Sequence, residues 1–115
     1  EEFLSVEDRD AGLLIGFLRL RLPSVNAHRR EVAGAGLIRE LHVYGPQAAV
    51  GERPAAGFQH RGWGGALLEE AERITKDEWG LGRIAVLPGV GVRNYYGSRG
   101  YRKVRGSGFM VKTIG

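Results

Sequence analysis

Residues 59–73 read QHRGWGGALLEEAER. Gly62 and Gly64 stand two apart at the mouth of a run otherwise rich in helix formers. Glycine inside a helix costs up to about 1 kcal/mol relative to alanine, so the pair needs a reason. A helix N-terminus presents unpaired N–H groups and the positive end of the dipole, which suits an anion. Glycine there lets a large group come close to the backbone. With Gln59 and Arg61 beside the glycines, the matching guest is a phosphate or a pyrophosphate. The alternative is a glycine-rich turn that only lets the helix pack on a sheet. Two better-known phosphate loops do not fit. A P-loop needs G-K-[S/T], which the chain lacks. A Rossmann fingerprint needs a strand directly before it and an acid about 20 residues on; here a Pro/Gly-rich stretch precedes it, and Leu81-Gly82-Arg83 stands where the acid should be.

Other groups able to do chemistry are few. The chain has no cysteine, which excludes disulfides, thiolate zinc, iron–sulfur ligation and a cysteine nucleophile within it. His28, His42 and His60 are scattered without an H-x-x-x-H pair, so no metal site is expected. What remains is Glu40 with His42, the pair Tyr95-Tyr96 after Asn94, and the cations Arg99, Arg102, Lys103 and Arg105.

The elements that must position these groups follow from the pattern. Residues 3–8 and 13–22 read as a β-hairpin, and 36–44 as a strand. Residues 23–34 and 45–57 read as loops. The main helix is expected over 62–79. Leu67, Leu68, Ala71, Ile74 and Thr75 share one face, and Glu69–Arg73 and Glu72–Lys76 form i,i+4 pairs on the other. Residues 83–87 are a short apolar strand closed by Pro88-Gly89, 92–99 a short helix, and 101–104 with 109–114 a closing pair of strands. Hairpins combined with crossover helices give a mixed α/β sheet. Strict alternation in 36–44 puts Ile38, Glu40, His42 and Tyr44 on one face, opposite Leu37, Leu41 and Val43.

A length of 115 residues suits one domain with a modest core. The net charge of +4 and pI of ≈ 9.9, with arginine outnumbering lysine, lean toward polyanionic partners such as nucleic acid or a phosphate-rich cofactor. The longest apolar stretch, 11–22, is broken by Gly12, Gly16, Arg19 and Arg21, so no bilayer-spanning segment is expected. Glu1, Glu2, Glu7 and Asp8 carry the wrong charge for a secretory leader. Together with the absence of cysteine, this fits a cytoplasmic protein. The chain opens on Glu1 and not on Met, as would an excised piece or a chain that has lost its start.

Gln59-x-x-Gly62-x-Gly64 matches the Q/R-x-x-G-x-G/A signature of the GNAT superfamily of acetyl-CoA-dependent acyltransferases. Leu41-x-Val43 resembles the end of that fold's splayed fourth strand. Asn94-Tyr95-Tyr96-x-x-x-Gly100-Tyr101 resembles its N…Y-x-x-x-G-F/Y element. Longer blocks narrow the likeness: LIRELHVYG (37–45), QHRGWG…LLEEAERI (59–74), RIAVLPGVGVRNYY (83–96), RGY (99–101) and FMVK (109–112) resemble the C-terminal acetyltransferase domain of the Elongator catalytic subunit, in its archaeal or bacterial form. The likeness runs from about residue 36 to the end, and more weakly through the hairpin.

This resemblance implies one GNAT domain over 1–115, a fragment of a longer protein or else a natural reduced homologue. Its sheet would be mixed, mostly antiparallel and flanked by helices, and would lack the first strand and helices of the complete fold. It implies acetyl-CoA as cofactor and tRNA as partner, in modification of the wobble uridine. A radical S-adenosylmethionine domain with an iron–sulfur cluster would be the partner in the N-terminal region of a full-length relative. The backbone of Leu41, His42 and Val43 would meet the thioester carbonyl. Gln59, His60, Arg61, Gly62, Trp63 and Gly64 would hold the pyrophosphate. Asn94, Tyr95 and Tyr96 would line the rest, although Asn94 could equally cap the short helix.

Acyl transfer needs a carbonyl polariser, a base for the nucleophile and an acid for the departing thiolate. Tyr96 is the candidate acid, a phenol of pKa about 10. Glu40 is the candidate base, directly or through water, with a salt bridge to an arginine as the alternative. His42's imidazole reads as structural or substrate-facing. Arg99, Arg102, Lys103 and Arg105 fit the cofactor's 3′-phosphate, tRNA phosphates or a solvated face alike. Two other functions stay open: a stand-alone N-acetyltransferase for a protein or small amine, and a non-catalytic RNA-binding or docking module.

Overall fold

A computed structural model describes residues 1–8, 10, 12–22, 33–43 and 62–115. Six strands form one sheet in the order β1-β2-β3-β4-β6-β5. They are β1 (Glu2–Asp8), β2 (Leu13–Arg21), β3 (Ala35–Val43), β4 (Arg83–Val86), β5 (Arg102–Lys103) and β6 (Met110–Thr113). Every neighbouring pair is antiparallel except β3 and β4. A parallel pair needs a crossover, and helix α1 (Trp63–Arg73) supplies it. A second short helix, α2 (Arg93–Ser98), follows β4. The expected element order therefore holds, with ends moved by a residue or two. The two predicted loops lie wholly or mostly outside the described residues. Among the described residues no helix is long and apolar enough to cross a membrane.

The core lies between α1 and one face of the sheet. Leu67, Leu68, Ala71 and Ile74 of the helix meet Leu18, Leu20, Ile38, Ile84, Val86 and Met110. Where the sequence predicts one helix to 79, the chain widens at Ile74–Glu78 into a π-turn. There the Trp79 amide bonds back to the Ile74 carbonyl at 2.9 Å. Thr75, fully buried, donates its hydroxyl to the Ala71 carbonyl at 2.8 Å. This segment also comes close to β3: a Cβ at Gly36 would lie 2.6 Å from Thr75 Oγ1. Gly36 is thus the space into which the helix end packs.

Two sequence expectations are corrected. The helix pairs differ: Arg73 bridges Glu70 and Glu78 instead of Glu69. Glu72 ignores Lys76 and turns inward. It accepts the Tyr101 hydroxyl at 2.9 Å and the Lys112 ammonium at 3.0 Å.

The second correction concerns β3. Arg19 pairs with Glu40, but the next pair is Leu20 with Ile38, so Arg39 is the extra residue of a β-bulge. The bulge resets the alternation. Ile38 and Leu41 both pack against the helix-side core, while Leu37 joins Ala35, Ala85 and Phe109 on the other face.

The bulge also marks where β3 leaves β4. Their register runs from Ala35↔Arg83 to Ile38↔Val86 and stops. Residues 40–43 keep partners only on β2. A bulge adds local twist, and on the other strand Pro88 has no N–H to continue a ladder. The strand expected to splay does so here.

Candidate active site

The parting of β3 and β4 opens a cleft of ≈ 390 Å³. Leu41 and Val43 of β3 form one wall, Gly62, Gly64 and Gly65 another, and Tyr95, Tyr96 and Arg99 the third. Gly62 is the N-cap of α1, left-handed at φ +81, where an L side chain would be strained. No side chain caps the helix and its first turn holds no acid. The first intrahelical donor is the Ala66 amide, to the Gly62 carbonyl at 2.7 Å. The amides of Trp63, Gly64 and Gly65 come before it and have no partner within the helix.

The next two glycines are cleared for other side chains. A Cβ at Gly64 would stand 2.8 Å from the Tyr95 hydroxyl, and one at Gly65 would overlap the Arg99 guanidinium. The Tyr95 hydroxyl and the Trp63 indole N–H are buried without a hydrogen-bond partner. A buried donor left unpaired costs about 1–3 kcal/mol. A ligand that accepts hydrogen bonds would remove that cost.

Tyr95 begins a row of three rings. Tyr95 and Tyr96 meet edge-to-face at 5.4 Å, as do Tyr96 and Tyr101. Tyr96 is only 5% exposed. Burial, reinforced by the Tyr95 phenol, pushes its hydroxyl up to about 12. Tyr96 therefore keeps its proton at neutral pH, as a donor must, although it is a weaker acid than a free phenol. Burial raises Tyr101 further, with the Glu72 carboxylate adding to it.

The sequence-predicted residues divide as follows. Leu41, Val43, Gly62, Gly64, Tyr95 and Tyr96 come together around the cleft. Trp63 sits half-buried in the same first turn. Gln59, His60 and Arg61 lie outside the described residues. Asn94 is exposed, away from the cleft lining, and no side chain caps α2. Glu40 and His42 project from the opposite face of the sheet. Glu40 lies 3.8 Å from Arg19, and the His42 ring lies tilted against Phe17 with centroids 5.0 Å apart. Sequence reasoning passed over Gly65 and Val92. For Gly65 a signal existed, since two consecutive glycines inside a helix are hard to explain by one turn. No group of His, Asp or Glu able to hold a metal occurs among the described residues.

No family model matches the chain. Elongator complex protein 3 of Bos taurus is 53% identical over 115 residues, covering 99% of this chain and 21% of the relative. The tRNA uridine(34) acetyltransferase of Dehalococcoides mccartyi is 47% identical over 117 residues, covering 99% of this chain and 25% of that protein. Archaeal Methanocaldococcus infernus Elp3 superposes with a TM-score of 0.83 at 42% identity, over 97% of this chain and 26% of that one. The chain is a homologue of the C-terminal region of Elongator complex protein 3. It spans about a fifth to a quarter of these relatives, from 21% to 25% of the two sequences. A Staphylococcus aureus acetyltransferase of the GNAT family matches at TM-score 0.62 and 12% identity, over 92% of this chain and 63% of that one. Tetrahymena GCN5 matches at 0.63 and 12%, over 98% and 68%. At such identities the likeness speaks for the fold alone. The Elongator homologue thus has the GNAT fold expected of it.

Proposed function

We propose that this chain is the acetyl-CoA-binding acyltransferase domain of an enzyme that modifies the wobble uridine of tRNA. The observation that carries the reading is the cleft where β3 and β4 part, between an uncapped, glycine-lined helix turn and Tyr95-Tyr96. Its partners in that reading are tRNA and a radical S-adenosylmethionine domain, carried with its iron–sulfur cluster in the rest of a full-length protein. The relative named tRNA uridine(34) acetyltransferase and the basic pI of ≈ 9.9 support tRNA.

The lining fits the cofactor. Free amides and a buried, unpartnered phenol are donors awaiting an acceptor. Bound acetyl-CoA supplies an activated acyl group as a thioester. The first-turn amides of α1 hold the diphosphate, together with Gln59, His60 and Arg61. The backbone of Leu41, His42 and Val43 polarises the carbonyl through groups not used by β4. Tyr96 holds a proton on its hydroxyl and donates it toward the leaving sulfur. Glu40, on the far face of the same strand, takes the acceptor's proton from that side. Trp63, in the same turn as the diphosphate-binding amides, offers its buried, unpartnered indole N–H to the cofactor.

Titration of the intact protein with CoA, followed by thioester cleavage with and without tRNA, tests this reading. Binding with cleavage that rises when tRNA is added is the expected result. Binding with cleavage indifferent to tRNA would favour an N-acetyltransferase for another acceptor, and absence of binding would favour a docking module.

A further inference from the structure

We propose that Arg99 is the cationic anchor of the cleft and pairs with the diphosphate of the cofactor. This rests on the acetyl-CoA reading above. Four cations crowd residues 99–105. Arg102, Lys103 and Arg105 are exposed, whereas Arg99 is half-buried and lines the cleft.

Its setting is unlike that of the other arginines that make ion pairs. Arg19 is shared by Glu1 and Glu40, and Arg73 by Glu70 and Glu78. Among the described residues Arg99 makes no ion pair with a carboxylate. Its guanidinium lies 5.7 Å from the Tyr95 ring centre, a cation–π contact that leaves its N–H groups uncommitted.

The guanidinium lies directly against Gly65. Any Cβ at Gly65 would collide with the guanidinium. Gly65 thus brings the charge against the first turn of α1, where the amides lack partners. Beside it lies the Tyr95 hydroxyl, buried and unpartnered. Among the described residues a guanidinium, a phenol and a row of amides converge without a carboxylate. Such a set selects an oxyanion, and guanidinium suits phosphate oxygens because it can bond two at once. The acetyl thioester is neutral, so the charge must be met by a phosphate. CoA offers two sources, the bridging diphosphate and the 3′-phosphate. Contact with Gly65 in the first helical turn points to the diphosphate.

The test compares the intact wild-type protein with Arg99→Met and Arg99→Lys by calorimetry, using CoA, dephospho-CoA and pantetheine as probes. Methionine keeps the aliphatic stem over Gly65 and removes the charge. The expected result is a loss of about 10- to 100-fold in affinity for both CoA and dephospho-CoA in Arg99→Met. Arg99→Lys recovers part of it, and pantetheine binds wild type and variant alike. Unchanged CoA affinity in Arg99→Met would overturn the proposal while leaving the cofactor reading intact. A loss confined to CoA and absent with dephospho-CoA would overturn the assignment to the diphosphate. A loss equal for pantetheine would reduce Arg99 to packing. If wild type binds none of the three, the cofactor reading itself fails.

Discussion

The two ends of the Tyr95–Tyr96–Tyr101 row are built alike and finished differently. At the inner end Tyr101 is 2% exposed, and its hydroxyl donates to Glu72, which also holds Lys112. Every polar group there has a partner from the chain itself. At the outer end Tyr95 is also packed in, yet its hydroxyl has none. The same residue type serves as a strut where its hydrogen bond is closed and as a waiting donor where it is open. Tyr96, between them, is aligned by the first and faces the same cleft as the second. The strand β3 repeats the division: residues 37 and 38 are paired on both sides, and residues 40–43 on one.

The comparison can be broken most sharply at the closed end. Glu72→Ala strips the partner from Tyr101 and from Lys112. The group is partly exposed, which moderates the cost, and a destabilisation of about 2–3 kcal/mol is expected in thermal or urea unfolding. An unchanged midpoint would mean the network is ornamental. At the join of helix and sheet, Gly36→Ala forces a methyl onto Thr75 and should destabilise by about 1–3 kcal/mol in the same assay, with cofactor binding preserved in the folded fraction.

At the open end the sign reverses. Tyr95→Phe removes an unsatisfied buried hydroxyl, so stability should hold or rise by up to about 1 kcal/mol, while CoA affinity falls several-fold. A stability loss matching that of Glu72→Ala would show that the two ends are not different in kind.

Alkaline pH separates them by another route. Tyr96 and Tyr101 both have hydroxyls raised above the phenol value of an unfolded chain. Ionisation is then easier unfolded than folded, so their contribution to stability is whole below about pH 10 and is lost as pH climbs, through about 12 for Tyr96 and higher still for Tyr101. Tyr101→Phe should flatten part of that decline in pH-dependent unfolding. A variant decline identical to wild type would assign the loss to other groups. The smallest effect is expected for Tyr96→Phe, which should leave CoA affinity almost unchanged and slow only thioester cleavage. Equal cleavage rates would remove Tyr96 from the chemistry.

Much of this division was legible in the sequence, and its gaps have physical causes. The period of Leu67, Leu68, Ala71 and Ile74 identified α1, because burial of one face leaves that spacing. The glycines at its mouth were conspicuous because helices disfavour them. The bulge at Arg39 was not legible: an inserted residue changes which way side chains point, but no glycine or proline announces it. Glu72 was misassigned because Lys76 is near in sequence, whereas Lys112 comes close only after the sheet forms. Asn94 matched a motif, yet α2 turns it to solvent. The widening at Ile74–Glu78 likewise leaves no mark in a pattern of helix formers.

The central claim is that the gap beside β3 receives the acyl donor against the bare first turn of α1. Gly64→Ala tests it most directly. Gly64 lacks the positive φ of Gly62, so the added methyl does not strain the backbone there, but it would press on the Tyr95 hydroxyl from 2.8 Å and narrow the cleft. Calorimetric titration with CoA should show saturable binding by wild type and a loss of at least about tenfold in the variant, with the helix content of both equal. Equal affinities in the two proteins would place the donor elsewhere and contradict the account.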